Sequence, residues 1–152
     1  NYNCPGQIVI TGKKKAVFNA MKVLETAGAR RTVELNVSGP FHSELLKEAG
    51  EQLGEVLRDI ELHPLRVPYV TNVTGEYVTD INTTKELLAR QVYSPVKWEQ
   101  SVRKMIENGV DTFIEIGPGK TIAGFLRKID KTVKCINISK FEDLEKLEDI
   151  GN

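Results

Sequence analysis

The chain has 152 residues, 21 of them Lys or Arg and 21 Asp or Glu, so its formal charge is zero, and 40% are hydrophobic. That is the composition of a globular chain with enough apolar residues for one core. The charge balance excludes a nucleic-acid binder held by a basic field and a polyacidic tail. No apolar run exceeds three residues, as at 8–10, which excludes a transmembrane helix and the core of a signal peptide. The expectation is a soluble cytoplasmic chain without a membrane partner.

The two cysteines, Cys4 and Cys135, stand far apart with no Cys-x-x-Cys or Cys/His cluster. They read as free thiols in a reducing compartment, and no metal site is expected. The chain starts at Asn1 in a turn-like Asn-Tyr-Asn-Cys-Pro-Gly stretch, which reads as a processed product or a fragment.

Residues 7–11 (QIVIT) form a short β-branched run ending at Gly12, the mark of a strand. A helical pattern then places Val17, Ala20, Met21, Leu24 and Ala27 on one face, with Gly28 as its natural stop. Residues 32–37 alternate, Val33, Leu35 and Val37 against Thr32, Glu34 and Asn36, which predicts a half-buried strand.

After Ser38-Gly39-Pro40 the spacing of Leu45, Leu46, Ala49, Leu53, Val56, Leu57 and Ile60 predicts a long amphipathic helix over 43–60. Strands are expected at 67–73 and 77–79 around a Thr-Gly-Glu turn, and helices at 84–89 and 96–108. A strand at 112–116 ends at Gly117-Pro118-Gly119, a helix follows with Ile122, Phe125, Leu126 and Ile129, and a strand at 133–138 closes the series. This alternation predicts an α/β layer fold. Residues 140–152 are acidic but keep Phe141, Leu144 and Leu147 at three-residue spacing, as a terminal surface helix would.

Gly117-Pro118-Gly119-Lys120-Thr121 ends like a phosphate-binding loop, but the position five before Gly119 is Ile114. The loop is too short to wrap a triphosphate. A tight turn before a helix N-terminus is the simpler account, although free N–H groups there could face an anion.

Of the two histidines, His63 precedes Pro64 in a loop and reads as solvated. His42 lies in Ser38-Gly39-Pro40-Phe41-His42-Ser43, between a predicted strand and a helix. In α/β proteins such junctions hold catalytic groups, while a lone His is more often a structural or cap residue, so position by itself does not settle its role. None of the five serines has a Gly two positions before it, so the chain contains no Gly-x-Ser-x-Gly nucleophile elbow. Neither cysteine has a marked basic partner to activate it.

Four segments in order, 1–11 (NYNCPGQIVIT), 37–46 (VSGPFHSELL), 90–98 (RQVYSPVKW) and 113–120 (FIEIGPGK), resemble the C-terminal half of the bacterial malonyl-CoA:acyl carrier protein transacylases. The resemblance covers nearly the whole chain. It implies acyl transfer by a Ser–His pair, in which the His of the family's Phe-His motif corresponds to His42. The family's Gln corresponds to Gln91, whose main-chain carbonyl accepts a hydrogen bond from the imidazole. Phe41 would narrow the pocket toward malonyl rather than methyl-branched substrates. Asn3 would stand near the substrate cleft, although a turn residue accounts for it equally well.

The resemblance also implies an α/β-hydrolase-like large subdomain with an inserted ferredoxin-like small one. Residues 1–38 would be the second half of the insertion, and 39–152 the C-terminal part of the large subdomain. No cofactor is implied, because the coenzyme A thioester is itself the substrate. The implied partners are malonyl-CoA, acyl carrier protein and an N-terminal half supplying the Ser. A noncatalytic carrier-protein docking module is the alternative, drawn from the absent nucleophile and the basic clusters Lys13-Lys14-Lys15, Arg30-Arg31 and Arg127-Lys128.

Overall fold

The first strand forms where the sequence predicts only a turn. In the computed structural model, which describes residues 1–148, β1 (Tyr2–Cys4) pairs antiparallel with β2 (Gln7–Ile8). Gly6 supplies the left-handed backbone that the intervening turn needs, with φ 76°. The predicted strand at 7–11 therefore shortens to two paired residues. Its partner is the Asn-Tyr-Asn-Cys stretch before it, whose polar composition hides its β character.

Cys4 is correspondingly a core residue rather than a turn residue. It is buried with Val102, Leu126 and Ile129, and Trp98, Met105, Phe113, Phe125 and Cys135 pack around this cluster. The amide of Tyr2 donates to the carbonyl of Val96 at 2.8 Å, tying the hairpin to the entrance of α4 (Trp98–Glu107).

The centre of the fold is a β–α–β unit. β5 (Thr112–Ile116) and β6 (Lys134–Ile138) run parallel and in register, and α5 (Thr121–Ile129) crosses between them. Phe113 packs toward the core under α5, whereas Ile114 and Ile116 share the opposite face with buried Ile136 and Ile138. The 3₁₀ turn Phe141–Leu147 lies against β6, while on β5 Ile116 is 82% exposed. The terminal helix expected over 140–152 is thus a 3₁₀ turn as far as 147. The last part of that expectation lies outside the described residues.

β3 (Tyr69–Val70) and β4 (Tyr77–Val78) form a small antiparallel ladder, shorter than the strands predicted. The amide of Lys97 donates to the carbonyl of Asn72, joining the turn of this ladder to α4. The helix predicted over 43–60 divides into a 3₁₀ turn, Glu44–Leu46, and α2 (Lys47–Arg58). It packs closely on α3 (Thr84–Gln91), with Gly50 buried at the contact.

The strand predicted at 32–37 does not form. The segment has no ladder partner among the described residues, and Val33, Leu35 and Val37 are half or more exposed. Alternation specifies which side chains share a face, but strand hydrogen bonds require a neighbouring chain. α1 (Lys14–Thr26) closes its own hydrogen bonds and forms although none of its residues is buried. It ends as predicted, at Gly28 with φ 95°.

Candidate active site

α2 and α3 together build the geometry around His42. α3 ends at Gln91, and the last carbonyls of a helix lack intrahelical donors. Two donors from a single residue reach them. The Nδ1–H of His42 donates to the main-chain oxygen of Gln91 at 2.9 Å, and the His42 amide donates to the carbonyl of Val92 at 3.1 Å. A carbonyl can only accept, so Nδ1 carries the ring hydrogen and Nε2 keeps its lone pair when the ring is neutral. The ring is half-buried.

His42 is the only non-glycine residue among those described with a positive φ, 58°. For a residue with a Cβ that conformation costs about 1–2 kcal/mol. Each of its two hydrogen bonds contributes about 0.5–1.5 kcal/mol net, so together they offset the strain. The preceding turn is closed by the Ser43 hydroxyl, which donates to the Pro40 carbonyl at 2.7 Å. Strained backbone held by surrounding bonds is typical of functional sites.

The other residues singled out by sequence stand apart from this pair. Phe41 is 55% exposed, and its ring folds back over Gly39, where an added Cβ would lie 3.4 Å from the ring edge. Asn3 is half-buried in β1, and no hydrogen bond joins it to His42 or Gln91. His63 is exposed. A cleft of about 230 Å³ opens beside Gln91, lined by Tyr69, Thr71, Asn72 and Leu88 among others.

The anion-facing helix N-terminus considered after Gly119 is already occupied. The Glu115 carboxylate accepts from the amides of Ile122 at 3.0 Å and Ala123 at 3.2 Å, and Asn137 holds it with a third bond. A carboxylate at the first turn satisfies the free N–H groups and the positive end of the helix dipole, which displaces any phosphate role. Burial, followed by the Glu115 carboxylate, pushes the Cys135 thiol above its ordinary value. That opposes thiolate formation. Among the described residues no cluster of His, Cys, Asp and Glu is arranged to hold a metal, and no helix is long and apolar enough to cross a membrane.

Sequence reasoning passed over Val92, whose carbonyl fixes the His42 backbone, and Gly50, where α2 meets α3. The second had a signal. A glycine inside a helix costs about 1 kcal/mol relative to alanine and, when it occurs, points to a close approach.

Residues 1–144 match the acyl transferase domain family. The chain belongs to that family. It is 47% identical over 145 residues to the malonyl CoA-acyl carrier protein transacylase of Bacillus subtilis, covering 95% of this chain and 46% of the relative. The corresponding Staphylococcus aureus protein is 40% identical over the same length, with 47% of it covered. The chain therefore spans about half the length of these relatives.

Among solved structures, the malonyl CoA-acyl carrier protein transacylase of Clostridium perfringens superposes with a TM-score of 0.92 at 44% identity, covering 97% of this chain and 46% of that one. A malonyl-transacylase solved in complex with a type II PKS acyl-carrier protein superposes with a TM-score of 0.85 at 34% identity, covering 89% and 44%.

Proposed function

We propose that this chain is the base-bearing half of a malonyl-CoA:acyl carrier protein transacylase, acting in the cytoplasm with a serine nucleophile supplied from outside these 152 residues. The carrying observation is the Nδ1–H bond from His42 to the Gln91 carbonyl. It leaves Nε2, the basic nitrogen on the far side of the ring from the anchor, with its lone pair free to take a proton from a hydroxyl. The relatives are named for this reaction, and one related malonyl-transacylase was solved with an acyl-carrier protein.

In the first half-reaction Nε2 takes the serine proton as the serine oxygen attacks the malonyl thioester carbonyl. The tetrahedral intermediate collapses by breaking the C–S bond, and the imidazolium returns its proton to the departing coenzyme A sulfur. In the second half-reaction Nε2 accepts the proton of the carrier protein's phosphopantetheine thiol. That sulfur attacks the acyl-serine, and the serine leaves reprotonated. The Gln91 carbonyl stabilises the imidazolium in both steps, the role a carboxylate plays in other triads. Coenzyme A enters as part of the substrate, and no further cofactor is required.

Phe41 borders the His42 loop, and its role is to narrow the pocket at the malonyl α-carbon. Asn3 contributes to the cleft between subdomains. Residues 1–38 complete a small ferredoxin-like subdomain, while 39–152 return to an α/β-hydrolase-like large one. Lys13 to Lys15, Arg30, Arg31, Arg127 and Lys128 are all exposed and available to an acidic carrier protein.

The test uses the complete polypeptide, these residues together with the complementary N-terminal half, incubated with malonyl-CoA and followed by mass spectrometry. A malonyl adduct should form quickly, and His42→Ala should slow it by about 100-fold or more. Equal rates in the two proteins would remove His42 from the base role. Carrier-protein binding without any acyl transfer would replace the enzyme reading with the docking module.

A further inference from the structure

Gly50 lies eight residues beyond His42, in the first half of α2, and meets the last turn of α3. A Cβ built at Gly50 would fall 2.5 and 2.6 Å from two ring carbons of Tyr93 and 2.7 Å from the carbonyl oxygen of Ala89. Ala89 precedes Gln91 by two residues and Tyr93 follows it by two, so the crowded spot brackets the carbonyl that anchors His42. One of the three obstructing atoms is backbone, which a rotamer change cannot move aside. An added methyl must therefore push α2 and the last turn of α3 apart, and with them His42, which leads into α2, and the Gln91 and Val92 carbonyls. One helical turn further along, a Cβ at Gly54 would meet only the Ala89 methyl, at an ordinary 3.5 Å.

We infer that Gly50 is a positioning residue: by letting α2 close onto the last turn of α3, it sets the hydrogen bond that fixes the tautomer of His42. The inference rests on the reading of His42 as the base. His42 is coupled to α3 at two points, Nδ1 and the backbone amide, and its left-handed backbone depends on both. A shift of several tenths of an ångström there loosens the anchor and lets the ring sample both tautomers. Helix propensity acts in the opposite direction, since alanine favours a helix over glycine. A gain in α2 stability accompanied by loss of the tautomer would separate positioning from a general structural effect.

The experiment is ¹⁵N NMR of the imidazole in the complete polypeptide, at a pH where the ring is neutral, with the His42 signals assigned by His42→Gln. The wild-type protein should show a single Nδ1–H tautomer, unlike exposed His63. Gly50→Ala should lose it, with the Nδ1–H fraction falling toward that of His63, while Gly54→Ala keeps it. If Gly50→Ala does not fold, Gly50→Ala/Tyr93→Ala removes the two ring contacts and leaves the carbonyl contact. That double variant should lack the fixed tautomer, and Tyr93→Ala alone should retain it. An unchanged tautomer in a folded Gly50→Ala or double variant, or equal loss in Gly54→Ala, would overturn the inference. A wild-type protein without the Nδ1–H tautomer would instead remove the His42–Gln91 bond and the base reading with it. No substrate is needed, so the result is independent of whether a malonyl adduct forms.

Discussion

The region around α4, α5 and the β5–β6 pair and the region from α1 to residue 37 have similar apolar patterning and opposite fates. In the first, Val102, Leu126 and Ile129 are buried, and the N-terminal hairpin delivers Cys4 into the same cluster. In the second, no residue of α1 is fully buried, and Val33, Leu35 and Val37 are half or more exposed. The helix persists there because its hydrogen bonds are internal, and the strand does not because its bonds must come from a neighbour. Pattern specifies which face is apolar, and only a partner decides whether that face is covered.

Core truncation should separate the two regions most strongly. Leu126→Ala, at a side chain 2% exposed, should cost about 2–5 kcal/mol in urea unfolding. Leu35→Ala, at one 51% exposed, should change stability by no more than about 0.5 kcal/mol. Comparable losses at the two sites would mean that the 30–37 segment packs in solution, and the contrast would fail.

A smaller effect tests how the packed region is organised. Glu115→Ala removes the acceptor for the Ile122 and Ala123 amides and should destabilise the chain by about 1 kcal/mol, with increased amide exchange at the start of α5. If inorganic phosphate restores the loss, the helix terminus is an anion site that the carboxylate merely fills. No phosphate effect is expected.

The smallest effect lies at the margin of the packed region. Asp143 is held down to about 2, first by its bond with Lys146 and then by the Ser139 amide. Because the folded value lies below the ordinary 3.8, this carboxylate's contribution to stability is present above that pH. It is lost as the pH falls toward 2. An acid titration should therefore loosen the Phe141–Leu147 turn in that window, seen in the Ser139 and Lys140 amide shifts, and Asp143→Asn should flatten the response.

Legibility from sequence follows the same division. β5 was readable to the residue at 112–116, because a β-branched run ending at Gly-Pro-Gly carries both its pattern and its stop. Gly28 likewise marked the end of α1. β1 was not readable, since a polar Asn-Tyr-Asn-Cys strand exists only through pairing with Gln7 and Ile8 and docking on α4. For the site, the Phe-His and Arg-Gln-x-Tyr-x-Pro-Val segments singled out His42 and Gln91 by resemblance. The left-handed backbone at His42 and the second anchor at Val92 had no local signature.

By itself the sequence determined the order of helices and the β–α–β core, the apolar faces and the absence of a serine elbow, because period, turn residues and motif spacing are local properties. Tertiary structure decided which faces are covered, which carbonyls receive His42 and how closely α2 approaches α3. Those depend on atoms 49 residues apart in the case of His42 and Gln91, and no local pattern encodes the distance between them.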